Sequence, residues 1–353
     1  MSAVSQQQTA AAAPVALRGS QWLRILWPWL LALAIALILP RVFTSGHAIT
    51  MLNQMAVMIV FALSYNMLLG NTGLLSFGHA VYFGLGAFCS MHVLRAMNEG
   101  LALPIELLPL VAGFAGLFFG IIFGAVSVRR AGVVFAMISL GLGELVHASS
   151  YMFTGFFGGE AGLFGDRDEA VSLFGINYGP NVTVYYLVVV WALLAAAAMF
   201  LLRKTPLGWM ANAVRDNPER AQFVGYSPQL VRFFQFCLSA FFAGLAGGLF
   251  VLTQEIVTDE AVGAIKSGTV LLSAYIGGIG TFLGPVFGAT LVVYLEHSLS
   301  SVTDAWMLYF GLLFMMVVMF APMGLFGTAM QQFAAGVPVI GVERWGCDCT
   351  PSF

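Results

Sequence analysis

Charge is what this chain has least of. Only 8% of its residues are Asp, Glu, Lys or Arg, against 60% hydrophobic, and soluble domains are not built in that proportion. Phosphate-binding glycines are missing too. Lys204-Thr205 and Lys266-Ser267 lack the upstream glycines that cradle phosphates, so the chain has no means of its own to hydrolyse ATP. Neither a His-Glu-x-x-His nor a Gly-x-Ser-x-Gly pattern occurs, which leaves no recognisable hydrolase site. No regular row of arginines marks a voltage sensor. Cysteine is scarce: Cys89 and Cys237 fall in apolar runs as packing residues, and Cys347-Asp-Cys349 lacks the further ligand a zinc site needs. The formal net charge of −2 says little, because distribution matters more here than the sum.

What the chain does have is apolar runs of membrane-spanning length from end to end. The reading is an all-α, polytopic integral membrane protein with about ten transmembrane helices, some of them broken. Spans are expected at about 22–40, 47–69, 74–97, 104–128, 132–154, 182–202, 231–254, 264–280, 282–299 and 305–321. The eighth and ninth are short and glycine-separated, and read equally as a broken pair or a re-entrant element. Residues 1–20 are Gln/Ala-rich and expected to be disordered, residues 21–330 form the transmembrane domain, and 331–353 a tail. The first apolar run is too long for a signal-peptide core and lacks a small-residue cleavage site, so an uncleaved first span is expected. With the N-terminus inside, ten of the fourteen basic residues fall on the cytoplasmic side and only Arg41, Arg95, Arg167 and Lys266 outside. Both termini are then cytoplasmic.

Glycines recur four apart at Gly116, Gly120 and Gly124, at Gly244 and Gly248, and at Gly284 and Gly288. Such faces let helix backbones approach closely in lipid. Gly73, Gly78, Gly84 and Gly86 crowd the third span and Pro285 interrupts the ninth, which predicts broken helices. Membranes tolerate those only where protein or water surrounds them, as along a substrate path. Few ionisable residues lie inside spans. Glu144 sits mid-span and reads either as an interhelical strut or as a group on a path. His79, in Ser76-Phe-Gly-His79, and His297 read as satisfied packing histidines. Ser76, His79 and Glu144 are the candidate path residues.

One polar, helix-capable stretch stands between the apolar runs, from Leu207 to Pro228. Leu207, Met210, Ala211 and Val214 recur at helical spacing. Asn217 suits the cap of a second short helix, Pro218 its first turn and Gly225 the position just past its end. Arg203, Lys204, Arg215, Arg220 and Arg232 cluster around it, which marks a cytoplasmic loop. It serves equally as a plain connection or as a functional element.

Four stretches resemble the permeases of branched-chain amino acid ABC transporters, in particular the member of the usual pair with the longer N-terminal part. They are Asn66–Phe88, Val134–Glu144, the 207–228 loop continued through Ser239–Leu249, and Gly277–Ala289; in order and spacing they cover roughly residues 50–328. The loop matches the family's Glu-x-Ala-x-x-x-Gly pattern at Glu219, Ala221 and Gly225. The resemblance implies that Arg215, Asp216, Glu219, Ala221 and Gly225 form a coupling loop that docks into a separate ATPase. Gly158-Gly-Glu-Ala-Gly-Leu163 resembles the family's outer loop, a contact for a binding protein. The implied partners are a second permease subunit, two ATP-binding cassette subunits, a periplasmic or lipid-anchored substrate-binding protein and membrane lipid; nucleic acid is not among them. No cofactor or metal is implied, and the chain itself is not an enzyme. The implied location is the bacterial cytoplasmic (inner) membrane and the implied cargo a branched-chain or related amino acid. Related permeases carry urea, short amides or other small acids. A secondary transporter is the rival class, but it would need ion-coupling groups at mid-membrane and only Glu144 qualifies.

Overall fold

The computed structural model describes residues 19–43, 45–101, 103–168, 171–173, 175, 177–303, 305–320 and 324–328. Nearly all of the head expected to be disordered, and the whole 331–353 tail with Cys347 and Cys349, lie outside the described residues. The chain divides into two units, Met1–Thr44 and Ser45–Phe353. The first holds α1 (Gly19–Val42), an apolar helix that contains the expected span 22–40.

The second unit is a helical bundle. Its elements are α2 (Gly46–Thr72), α3 (Ala80–Asn98), α4 (Leu108–Ser127), α5 (Val133–Met152), the short α6 (Thr154–Phe157), α7 (Asn181–Lys204), α8 (Pro206–Asp216), α9 (Pro218–Phe223), α10 (Pro228–Gln254), α11 (Ala264–Gly277), α12 (Gly284–Ser300) and α13 (Trp306–Phe320). Two-residue strands β1 (Leu163–Phe164) and β2 (Ile256–Val257) pair antiparallel, with Leu163 opposite Val257.

α10 is the axis. Its 27 residues run about 40 Å, and it packs on α4, α3 and α2. The expected glycine faces make this possible. A Cβ on Gly116 would lie 2.5 Å from the Ala240 carbonyl oxygen and 2.9 Å from the Gly244 Cα, and one on Gly120 would lie 2.6 Å from the Ala240 Cβ. α4 and α10 therefore touch backbone to backbone. Side-chain hydrogen bonds fix α10 against α2: Gln235 Nε2 donates to the Met67 carbonyl at 3.2 Å and Ser239 Oγ to the Ser64 carbonyl at 2.7 Å. Gly284 and Gly288 do the same work for the α11–α12 hairpin, each lying against the α11 backbone. Gly244→Val puts a branched side chain where backbone atoms already sit. It should cost about 3 kcal/mol, the upper end of overpacking penalties, because backbone cannot step aside as a rotamer can. Thermal unfolding of the detergent-solubilised protein checks this; an unchanged midpoint would show that the α4–α10 contact is not tight.

The count of ten spans is not confirmed. Among the described residues six helical segments are long and apolar enough to cross a membrane: α2, α3, residues 105–127, α5, α7 and α10. α11, α12 and α13 have 14, 17 and 15 residues, short of the roughly 20 that span the hydrocarbon core. The third expected span, 74–97, is not one helix, since α3 starts at Ala80 and residues 73–79 are non-helical. Pro285 does not interrupt a helix either. It stands in the first turn of α12, where its missing N–H leaves no bond unmade. Gly84 and Gly86 lie within regular helix and serve close packing, so the break belongs to Gly73–His79 alone.

Candidate functional site

α2 ends when Gly73 turns left-handed (φ 70°) and its N–H closes on the Leu69 carbonyl. From there the chain climbs back along α2 without helical hydrogen bonds until His79 reaches Ser64, 3.1 Å away. Eight residues separate Ser64 from Thr72, so the ascent covers about 12 Å. A bare backbone at that depth is tolerated only when its polar groups find partners, and here side chains supply them. Tyr65 Oη donates to the Ser76 carbonyl (3.1 Å), the Phe77 N–H donates to Ser139 Oγ on α5 (3.0 Å), and the Ala80 N–H donates to Ser267 Oγ on α11 (3.0 Å). The expected broken element is thus real, and α2, α5 and α11 converge on it.

His79 is buried, stacked on Phe61 at 5.5 Å and edge-on to Tyr65 at 5.2 Å. Ser64 Oγ gives its proton to the Phe61 carbonyl (2.7 Å), so the network assigns the proton between Ser64 and His79 to His79 Nε2. His79 Nδ1 is then a lone-pair acceptor. Among the described residues it has no partner, and neither has Ser76 Oγ. The expectation of a fully satisfied packing histidine holds at one nitrogen and fails at the other. His297 meets it: its Nε2 lies 2.6 Å from Gln54 Oε1.

α11 is level with this break at its start, through Ser267. Lys266 lies in its first turn with Nζ 5.6 Å and 5.5 Å from the Phe83 and Phe250 ring centres. The segment 255–263 that precedes the 14-residue α11 holds β2 and a 3₁₀ turn at Asp259–Val262, and packs Ala261 and Val262 against Gly84. α5 borders the break on another side. Gly78 and Gly143 approach so closely that a Cβ on Gly143 would lie 3.4 Å from the Gly78 Cα. One residue on, Glu144 is exposed and has no hydrogen bond or ion pair among the described residues.

At the bundle end where α2 finishes stand α8 and α9. Asn217 caps α9, its side chain accepting from the Arg220 N–H at 3.0 Å, and Gly225 follows with φ 96°; both expectations for the loop's geometry are met. Ala221 is buried with Ala211, Val214 and Val231, which fixes α9 to α8 and α10. Arg215 donates to the Gly70 carbonyl on α2 and pairs with Asp216 at 3.1 Å. Of the five loop residues singled out, Arg215 and Ala221 hold the loop in place, and Glu219 is exposed at its surface. The sequence reading missed the tip. Phe223 is 89% exposed and Val224 74%, with Trp209 and Tyr226 also exposed. Aromatic side chains outside an apolar run were the available signal.

The opposite end carries the 153–180 connection, organised by a residue the sequence treated only as a charge. Arg167 is buried, and its guanidinium donates to the carbonyls of Leu252 (2.8 Å), Tyr178 (3.0 Å) and Gly179 (3.1 Å) and to Asn181 Oδ1 (2.6 Å). Glu255 lies 3.3 Å from it. The Tyr178 hydroxyl is pushed up to about 12 by burial and by its bond to Glu106, so it stays protonated and keeps donating to that carboxylate. Carboxylate oxygens of Asp166, Asp168 and Glu255 lie within 4.8 Å of one another. Arg167 already supplies a counter-charge there, so the group does not require an ion. The Gly158–Leu163 motif is a chain of glycine turns, with Gly158, Gly159 and Gly162 all at positive φ, delivering Leu163 into β1.

Residues 47–322 match the family model described as branched-chain amino acid transport system / permease component. The chain is 26% identical over 325 residues to the high-affinity branched-chain amino acid transport system permease protein LivM of Salmonella typhimurium, covering 86% of this chain and 76% of that one. It is 27% identical over 297 residues to LivM of Escherichia coli, covering 78% and 68%. It is also 24% identical over 280 residues to the ribose import permease protein RbsC of Haemophilus influenzae, covering 75% and 81%. No solved structure matches. An all-α polytopic bundle, a broken helix at its centre and a family match across most of its length lead to one conclusion: the chain belongs to the family of permease components of branched-chain amino acid transport systems.

Proposed function

We propose that this chain is one of two permease subunits of an importer driven by two separate ATP-binding cassette subunits and fed by a periplasmic or lipid-anchored binding protein. Its cargo is a branched-chain or related amino acid. The observation that carries the reading is the α8–α9 pair: a rigidly anchored hairpin at one end of the bundle that presents Phe223 and Val224 outward. Exposed apolar clusters of this kind mark protein contacts, and this one is built to pass a push to α10 and α2. The cargo class is supported by the names of the LivM relatives, whose identity extends over most of the chain. A urea, short-amide or small-acid cargo is the second reading. Uptake by proteoliposomes containing both permeases, the ATPases and a panel of loaded binding proteins tests this; ATP-dependent entry of amides alone would transfer the assignment.

The basic-residue bias supports placing α8–α9 in the cytoplasm, the 153–180 connection outside, and the protein in the bacterial inner membrane with both termini inside. A cysteine replacing Ser172 should react with an impermeant maleimide added from outside, in a Cys-depleted background, and one replacing Asn212 should not. The opposite labelling would invert the topology. In this reading the 73–79 break, with Ser76 and His79, and the face of α5 bearing Glu144 line the translocation path. Closure of the ATPases moves α8–α9, and α2 and α10 carry that motion to the break.

A further inference from the structure

We propose that His147, Tyr151 and Asp259 form a clasp that holds α5 over the 73–79 break, and that the clasp parts to open the break at the bundle end carrying the 153–180 connection. The inference rests on the path reading above and adds the device that controls entry to it. α5 is the least buried of the six long apolar helices, and two sets of contacts tie it to the elements around the break. The two differ in kind.

The first set is backbone against backbone. A Cβ on Gly78 would collide with the Ser139 carbonyl oxygen, and one on Gly143 would lie 3.4 Å from the Gly78 Cα. Beside them the Phe77 N–H donates to Ser139 Oγ at 3.0 Å. No bulky side chain interlocks at the two glycines, so α5 can tilt there without leaving the break. The second set lies one and two turns further along α5 and is made of polar side chains. The Tyr151 hydroxyl donates to Asp259 Oδ2 at 2.5 Å, and His147 Nε2 lies 3.6 Å from the same oxygen. The His147 and Tyr151 rings stand edge-on, 5.5 Å apart. Tyr151 is exposed, and His147 and Asp259 are half-buried, so water can replace these bonds at little net cost. Arg167, buried among several partners, is how the same end of the bundle makes a permanent joint.

Asp259 opens the 3₁₀ turn Asp259–Val262, which lies against Gly84 of α3 and leads into α11. There Ser267 Oγ accepts the Ala80 N–H at 3.0 Å. Ser139 of α5 and Ser267 of α11 thus hold neighbouring points of one break, at Phe77 and Ala80, and the clasp joins the two elements that carry them. From Gly143 to Tyr151 the helix rises about 12 Å, so a small tilt at the glycines draws Tyr151 well away from Asp259. Ser76 and His79 are buried in the break, and Ser76 Oγ and His79 Nδ1 have no partner among the described residues. Polar atoms left in that state are the ones an opened break would hydrate.

In a Cys-depleted permease assembled with its partners in nanodiscs, Ser76→Cys reports on the break through its rate of reaction with an impermeant maleimide. Tyr151→Phe combined with Asp259→Asn should raise that rate about tenfold; an unchanged rate would show that the clasp does not cover the break. If Ser76→Cys stays unlabelled in every background, the break never meets water, and the path reading falls together with the clasp. In proteoliposomes, His147→Cys paired with Asp259→Cys is joined by a short bis-methanethiosulfonate. Uptake should then fall at least about tenfold with the complex intact, and return when reductant frees the link. The reagent should not lower the rate of either single-cysteine permease. Failure of the pair to join would place the two side chains apart and overturn the clasp. Undiminished uptake by the joined permease would show that α5 need not part from Asp259, and would overturn it as well.

Discussion

Arg167→Met should leave a permease that is poorly folded at the bundle end carrying the 153–180 connection, with a loss of about 3–5 kcal/mol. The residue is 6% exposed and its guanidinium meets three carbonyls, an amide oxygen and Glu255. One of those carbonyls, Leu252, belongs to the last turn of α10, where helix carbonyls lack backbone donors and a cation opposes the dipole favourably. The others, Tyr178 and Gly179, precede α7. A single side chain thus closes the end of the central helix and pins the start of another. Methionine matches its length and none of its donors, leaving acceptors buried and unpaired at about 1–3 kcal/mol each. Arg167→Lys should recover less than half of the loss, since one ammonium cannot hold a planar fork of partners. Thermal unfolding, with limited proteolysis of the 166–180 segment, gives the readout. A midpoint equal to wild type in Arg167→Met would mean that water replaces the guanidinium and that the network contributes little.

The second large effect is expected at α8–α9, on communication and not on folding. Phe223→Ala removes a ring that is 89% exposed, so the permease should fold and retain its permease partner. If the ring is a docking anchor, its loss should weaken ATPase association by 2 kcal/mol or more, roughly thirtyfold. Glu219→Arg should act in the same direction by reversing a surface charge. Gly225→Val works differently. Nothing lies within 4 Å of a Cβ there, so the penalty is conformational only, roughly 1–2 kcal/mol for holding an L-residue at positive φ. The strain is relieved by re-aiming the link between α9 and α10, which should uncouple ATP hydrolysis from uptake while the subunits stay together. Binding-protein-stimulated ATPase activity and uptake, measured on the same proteoliposomes, separate the two modes. Should all three variants transport at the wild-type rate, α8–α9 is not the coupling element.

Much of this was legible in the chain itself, because local rules governed it. Apolar runs gave the helices to within a few residues, since in lipid a helix is the cheapest way to satisfy backbone groups. Asn217, Pro218 and Gly225 announced α9 and its stop, because capping depends only on neighbours in sequence. Glycines four apart marked the α4–α10 contact, because close approach requires the missing Cβ. Other features depended on partners remote in sequence. Whether 73–79 is helix turned on Ser139 and Ser267, 62 and 187 residues from the groups they accept, which offer its backbone an alternative to helical hydrogen bonds. Before α11 the chain folds as β2 and a 3₁₀ turn packed on α3, and hydropathy does not record who the neighbours are. Arg167 read as one more charge in a loop until tertiary packing gathered Tyr178, Gly179, Asn181, Leu252 and Glu255 around it. The sequence could offer Glu144 only as strut or path residue, and among the described residues packing gives it no partner. Sequence determined which segments are helical and where they turn; only the tertiary structure decided which breaks are held open and which charges stay unanswered, because both are properties of contacts between residues far apart in the chain.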